Sequence, residues 1–514
     1  MPPYCNSNYL GYTFKERDNY SLLKMRAAIV PTHGLTETEF NRGFMSDYLQ
    51  RMQKPRNIYV NGEPVRHLSR HPMFCGAIRF INRYYELQQQ DPAVHLVNHE
   101  YAASLLIPRS IEDLRQKGRS YKAVADTSYG MLGRTPDFIN SAIAAIASHA
   151  EALGRDQYCD YANNARRYYD YCRENNLYVS HAAINPQVDR SRALSELRSP
   201  SAGVRVTHYD SNGITVSGAK MIATLTPVSD EVLIFNMPGL TENDKDFAIA
   251  FTLDVTDPNL RMLCRKTLTY PEHTTLDHPI ANLFDEIDCL LLLDNVQVPW
   301  ERVLIFRDVE KSNAFYDSTK ARNHTGHQGI IRGQAKAELL TGVATRIAQT
   351  LGLDRFLHVQ EKLGRMTTSL ELLKGAVQLA ENAATIDDYG VCNPDISAIQ
   401  AIRYHFPLWY KDMQQTIQSL CVGSMLSIPD AVTLGVLPPQ QQDELFDPYR
   451  TALLNLGWDL TGDGFGQRQM VYEIYHAGDP MRIAARHHQE YDKRDLLAAL
   501  DQLLHSSYQE RHHD

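Results

Sequence analysis

No two of the eight cysteines, at 5, 75, 159, 172, 264, 289, 392 and 421, stand at CxxC spacing. A zinc ribbon or a dithiol redox motif is therefore excluded, and the thiols read as reduced and mostly buried. Positive charge is also in short supply. Lys and Arg total 52 against 61 Asp and Glu, a net charge of −9, which gives no support for a nucleic-acid footprint. Long apolar runs are lacking too. The uncharged stretch between Asp412 and Asp430 carries Gln414, Gln415, Gln418, Ser419, Ser424 and Ser427, so it is too polar to cross a bilayer. The first residues, Met1-Pro2-Pro3-Tyr4-Cys5, have neither the basic nor the apolar region of a signal peptide. The expectation is a cytoplasmic protein without membrane or nucleic-acid partners. The usual nucleotide-phosphate loop, zinc helix and nucleophile elbow are absent as well.

What remains is an ordinary globular composition, 43% apolar and 22% charged over 514 residues, enough for about three domains. Residues 1–45 read as an irregular N-terminal extension, with Pro2, Pro3, Asn6, Asn8 and Pro31 among scattered apolar residues. From Phe74 to Tyr178 the pattern is helical, as in Ala142, Ile143, Ala145, Ile146 and His149. Near Asn185 the texture changes. The turn Asp210-Ser211-Asn212-Gly213 separates two alternating runs, and apolar runs follow at 232–235, 247–251 and 290–293. That is antiparallel β structure, a domain of about 120 residues. After Asp308, Val359, Leu363, Met366, Leu370, Leu373 and Val377 step by four and three, the seam of a long bundle helix.

Several local patterns admit two readings. His324 and His327 stand three apart, but no third ligand is visible, so a polar or cofactor-facing pair is favoured over a metal site. His487-His488 and His512-His513 read as solvated. Gly462-Asp463-Gly464-Phe465-Gly466 lacks a preceding strand and reads first as a helix-breaking turn, although glycines also admit a close ligand. Arg134 precedes Pro136, a helix-opening residue, and is either a surface cap or a site cation. The segment His181 to Arg190 packs His, Asn, Gln, Asp and Arg where the fold class changes. It is a ligand cleft or a polar linker, and spacing does not choose.

These segments together resemble one family. They are Arg56 to Glu63, His71-Pro72, Tyr129 to Asp137, His181 to Arg190, Ser217-Gly218-Ala219-Lys220, Phe284-Asp285-Glu286, Leu293 to Glu301, Phe465 to Arg468 and Tyr472-Glu473-Ile474-Tyr475. The chain resembles, from about Tyr48 to about Gly478, the oxygenase component of 4-hydroxyphenylacetate 3-monooxygenase and its relatives, which include chlorophenol monooxygenases and hydroxylases of carrier-bound tyrosine. The resemblance implies a mainly α, acyl-CoA-dehydrogenase-like fold: N-terminal helices (46–190), a central β-barrel (191–310) and a C-terminal four-helix bundle (311–514). It implies a homotetramer using FAD as FADH2 from a separate NAD(P)H:flavin reductase. Oxygen would form a flavin C4a-hydroperoxide that hydroxylates a phenol ortho to its hydroxyl.

Carried over residue by residue, the resemblance sets Arg134 and His181 on the phenol oxygen, with Phe138 beside them. Asn185, Gln187, Arg190 and Thr224 fall at the flavin ring, and Arg468 at its diphosphate. The chain departs from the family at Phe138, where hydroxyphenylacetate oxygenases carry tyrosine, at Lys54-Pro55, and in a longer segment around 158–167. The particular phenol is left open. The alternatives are an acyl-CoA dehydrogenase, with a tightly held FAD and a carboxylate base, and a 4-hydroxybutyryl-CoA-dehydratase-like flavoenzyme. The latter needs cluster-binding cysteines beside Gly130–Gly133, where this chain has none.

Overall fold

The computed structural model describes residues 47–189, 191–197, 199, 201–476 and 478–510, with no side-chain description for 505–510. The expected N-terminal extension and Arg190 lie outside the described residues.

The order is helices, then sheets, then helices, a mainly α fold with a central β region. Local chemistry sets the helix ends. Ser110 and Asp113 form a reciprocal capping box that opens Ile111–Thr127. Pro136 opens Pro136–Ser148 behind its N-cap Thr135, and that helix is buried along almost its whole length. Tyr161–Asn175 ends at Asn176 in the left-handed region, φ 46°.

Two sheets form the centre. The six-stranded sheet runs Glu63–Pro64, Ile58–Val60, Leu260–Cys264, Asp288–Pro299, Gly213–Thr224, Arg205–Tyr209. The four-stranded sheet runs Val303–Phe306, Ile249–Asp254, Glu231–Ile234, Val179–Ala182. The hairpin expected at Asn212-Gly213 joins Arg205–Tyr209 to Gly213–Thr224 in antiparallel register. Two pairings are parallel instead. Ile58–Val60 runs beside Leu260–Cys264, and Val179–Ala182 beside Glu231–Ile234. Both extra strands come from the helical segment and carry it onto the sheets.

The C-terminal helices Ala321–Thr350, Leu357–Asn382 and Ile396–Cys421 pack mutually. The seam expected on the second of them is there, with Val359, Met366, Leu370 and Leu373 buried. A buried ionic triad ties this bundle to the chain's later turn. Glu473 accepts from Arg332 at 2.7 and 2.9 Å and from Lys336 at 2.6 Å. Burial works against the Glu473 carboxylate, but Arg332 and Lys336 hold its pKa at about 2. His324 and His327 are buried on the first of these helices, bonded to Asn393 and Glu381. Gly462 stands between the helices Pro448–Thr461 and Gly464–Val471, as a helix-breaking turn requires.

Candidate active site

The turn before Pro136 is built by close approach. A Cβ on Gly130, at φ +68°, would sit 2.4 Å from the Arg332 carbonyl oxygen. One on Gly133 would fall 1.9 Å from the Tyr472 hydroxyl. Only glycine lets this turn lie between the bundle and the phenol. Glu286, fully buried on the chain leading into Asp288–Pro299, then fixes the turn. Its Oε1 accepts the backbone N–H of Gly133 at 2.7 Å and of Arg134 at 2.6 Å, while Oε2 accepts from Arg468 at 2.6 Å.

Arg134 is thus held by its main chain, and its side chain reaches inward. Nη1 donates to the Tyr472 hydroxyl at 2.7 Å and Nη2 to the His476 carbonyl at 3.4 Å. The guanidinium lies 4.1 Å from the centre of the Phe138 ring, a cation–π contact. Its Nε is buried with no hydrogen-bond partner among the described residues. A native structure rarely leaves a charged donor in that state without a reason.

His181, on Val179–Ala182, has its ring 5.6 Å from Phe138 and stacked 6.1 Å from Phe235. Phe235 in turn stacks on Tyr316. Burial, reinforced by Arg134, pushes the imidazole pKa down to about 3. Beside this fixed cation His181 is held as a neutral imidazole. His476 is pushed well below its ordinary value by burial and Arg134, and stacks on Tyr472. It closes a π-helical turn, Tyr472–His476, a distortion often found at functional sites.

The residues expected at the flavin fall into two groups. Asn185 accepts from Lys220 Nζ at 2.8 Å, and exposed Gln187 donates to the Asn185 carbonyl at 3.1 Å. Buried Thr224 donates its hydroxyl to Asp288 at 2.7 Å, so its oxygen keeps lone pairs as acceptors. Arg468, expected at the diphosphate, gives Nε and Nη2 to Asp288 at 3.1 and 2.9 Å and Nη1 to Glu286. That is the geometry of a structural ion pair. Asp288 lies below the ordinary carboxylate range despite burial, because Arg468, His476 and Arg265 surround it.

The structure therefore brings Arg134, Phe138 and His181 together, and links Arg134 to Arg468 and Thr224 through Glu286 and Asp288. Sequence reasoning assigned no role to Glu286, Lys220, Tyr472 or His476. The first three stand in motifs that carried the family resemblance, but nothing in their spacing shows what they bond. Carboxylates near the site are matched by arginines, whereas among the described residues Arg134 Nε and the buried ammonium of Lys220 meet no carboxylate. That surplus of positive charge fits an anionic guest such as a phenolate or a flavin.

Helices stand before and after a central pair of sheets, with an arginine–imidazole site where they meet. The chain belongs to the 4-hydroxyphenylacetate 3-hydroxylase family: the family's N-terminal profile covers residues 45–305, and its C-terminal profile covers 312–436 and 440–505. It is 35% identical to the 4-hydroxyphenylacetate 3-monooxygenase oxygenase component of Thermus thermophilus, over 87% of this chain and 94% of that protein. It is 27% identical to a Streptomyces globisporus monooxygenase named for a (3S)-3-amino-3-(3-chloro-4-hydroxyphenyl)propanoyl group on a peptidyl-carrier protein, over 84% of each. A crystal structure of an oxygenase component complexed with FAD and 4-hydroxyphenylacetate superposes with a TM-score of 0.85 at 34% identity, covering 90% of this chain and 98% of that one.

Proposed function

We propose that the chain is the oxygenase component of a two-component monooxygenase that uses FADH2 to hydroxylate a phenol ortho to its hydroxyl, through a flavin C4a-hydroperoxide. The phenol is 4-hydroxyphenylacetate-like, tyrosine-derived or chlorinated. The observation that carries this reading is the buried Arg134 guanidinium, pinned at its main chain, with Nε unpartnered among the described residues, beside Phe138 and neutral His181.

A phenol oxygen against that Nε meets a permanent cation, which lowers its pKa, and a neutral imidazole that can hold it by a hydrogen bond. The phenolate feeds electron density to the ortho carbon, which must attack an electrophilic oxygen. Phe138 offers only its ring, so recognition of the oxygen falls to Arg134 and His181. In the net reaction a ring C–H becomes C–OH with one atom of O2, the other atom leaves as water, and FADH2 provides two electrons. When bound, reduced FAD supplies the activated oxygen atom. Asn185, Gln187 and Arg190 are assigned to its ring, with the Thr224 oxygen as an acceptor for a flavin N–H. Arg468 acts one step back as a positioning residue, through Glu286 and Asp288.

The partners follow from the same reading: O2, a separate NAD(P)H:flavin reductase and further copies of the chain in a homotetramer. Leu496, Leu497, Leu500, Leu503 and Leu504 stand exposed along the helix Arg494–Glu510, a stripe that a second copy would cover. None of the described cysteines is in a disulfide, which favours the cytoplasm. No helix of the described residues is long and apolar enough to cross a membrane. The test is a panel of phenols with a generic flavin reductase, NADH and FAD. Catechol products are expected for at least one phenol, and peroxide alone from every phenol overturns the reading.

A further inference from the structure

Lys220, in the middle of Gly213–Thr224, is fully buried. Its Nζ donates to the Phe235 carbonyl and Asn236 Oδ1 at 2.7 Å, to Asn185 Oδ1 at 2.8 Å and to the Ala183 carbonyl at 3.4 Å. All four acceptors are uncharged, and no titratable side chain is among them. A buried ammonium normally has a carboxylate partner or loses its proton. Burial alone pushes this one down to about 7.

The position of these contacts matters. Val179–Ala182 and Glu231–Ile234 pair in parallel up to Ala182 and Ile234. Lys220 grips both chains immediately beyond that point, where the first becomes the Asn185–Gln187 segment. Asn236 is anchored in turn, donating to the Phe247 carbonyl at 2.6 Å. Gly203 packs close against the Asn185 amide: a Cβ there would lie 3.2 Å from Asn185 Oδ1. Lys220 therefore stands directly behind the segment assigned above to the flavin ring, as a buried cation with no counter-charge among the described residues.

We propose that Lys220 gives the flavin seat its selectivity for the reduced cofactor, by favouring the anionic hydroquinone over the neutral oxidised ring. This rests on the flavin reading above. The oxidised isoalloxazine is uncharged, whereas the hydroquinone readily loses a proton from its pyrimidine side. An anion near Asn185 supplies the counter-charge that the protein withholds from Lys220. The preference needs no extra contact to the reduced ring.

The test compares affinity for oxidised FAD in air with affinity for reduced FAD under anaerobic conditions, in the full-length protein and in Lys220→Met and Lys220→Arg. The parent should bind the reduced form more tightly. Lys220→Met should lower the reduced-to-oxidised affinity ratio on the order of tenfold, the scale of one charge pair acting across roughly 10 Å of protein. Lys220→Arg should keep most of the ratio. If Lys220→Met weakens both forms equally, the residue is only a structural staple and the proposal fails while the flavin reading stands. If the parent binds neither form, the flavin reading itself fails, and the proposal with it. Should Lys220→Met not fold, the parent decides. Its bound reduced flavin should keep the anionic absorbance spectrum to a lower pH than free reduced FAD, and protonation at the same pH overturns the proposal.

Discussion

Glu286 accepts the backbone N–H of Arg134 at 2.6 Å, so the arginine is fixed by its main chain and its guanidinium is left for the site. The same carboxylate receives Arg468 on its other oxygen, which makes Arg468 a support for Arg134 across more than three hundred residues of sequence.

Removing that support should be costly in two ways. Arg468→Met strands the buried carboxylate of Glu286 and leaves half-buried Asp288 with Arg265 as its remaining ion-pair partner, and breaking a buried pair from one side costs roughly 3–5 kcal/mol of stability. The turn carrying Arg134 should also loosen, and a displacement of about 1 Å at a reacting group is worth roughly 100-fold in rate. Denaturant unfolding and steady-state hydroxylation measure the two effects. In a double-mutant cycle with Glu286→Gln the losses should be strongly non-additive. Independent, additive effects would show that the link does not carry through Glu286.

Arg134→Ala and His181→Ala should leave reduced-FAD binding largely intact, because both residues are assigned to the phenol. NADH and O2 consumption should continue, with the oxygen released as hydrogen peroxide in place of catechol. Phe138→Tyr should restore a hydroxyl beside the phenol oxygen and shift preference towards 4-hydroxyphenylacetate. Separate peroxide and product assays check all three. Unchanged coupling in both alanine variants would remove Arg134 and His181 from the substrate site.

How much of this was legible in sequence depends on how far apart the partners lie. The bundle seam from Val359 to Val377, the hairpin at Asn212-Gly213 and the helix opened by Pro136 are set by neighbours a few residues away, and each took the form expected. The parallel partners of Val179–Ala182 and Ile58–Val60 were not legible, because a short strand has no local mark of its mate. The arginine and imidazole of the site were found through the family's motifs. The acidic residue that holds the Arg134 main chain and the one behind it were missed, since Glu286 and Asp288 meet Arg468 only in the fold. His181 also shows the limit of residue type: the motif supplies an imidazole, but burial beside Arg134 is what keeps it neutral.

Opposite pH behaviour should come from two kinds of histidine. His278 lies 2.7 Å from Asp459 and 3.4 Å from Asp463, and stacks on Tyr270. Although burial lowers its pKa, the two aspartates push it up to about 9. Its contribution is fully present below the unfolded value of about 6.5 and is lost as pH rises through about 9. His181 and His476 are depressed, so the unfolded chain binds more protons and stability falls as pH drops below about 6.5. Thermal unfolding from pH 4 to pH 10 should show both limbs, and His278→Gln should flatten only the alkaline one. An unaltered alkaline limb in that variant would show that the clamp contributes no pH-dependent stability.

The most direct measurement of the central claim is the fate of the oxygen atoms. The full-length protein is supplied with FAD, a flavin reductase, NADH, a phenol it accepts and oxygen-18 gas, and the product is analysed by mass spectrometry. The account predicts a catechol carrying one oxygen-18 atom ortho to the original hydroxyl, with that product replaced by hydrogen peroxide in Arg134→Ala. A catechol whose new oxygen comes from water, or one formed equally well without Arg134, would contradict it.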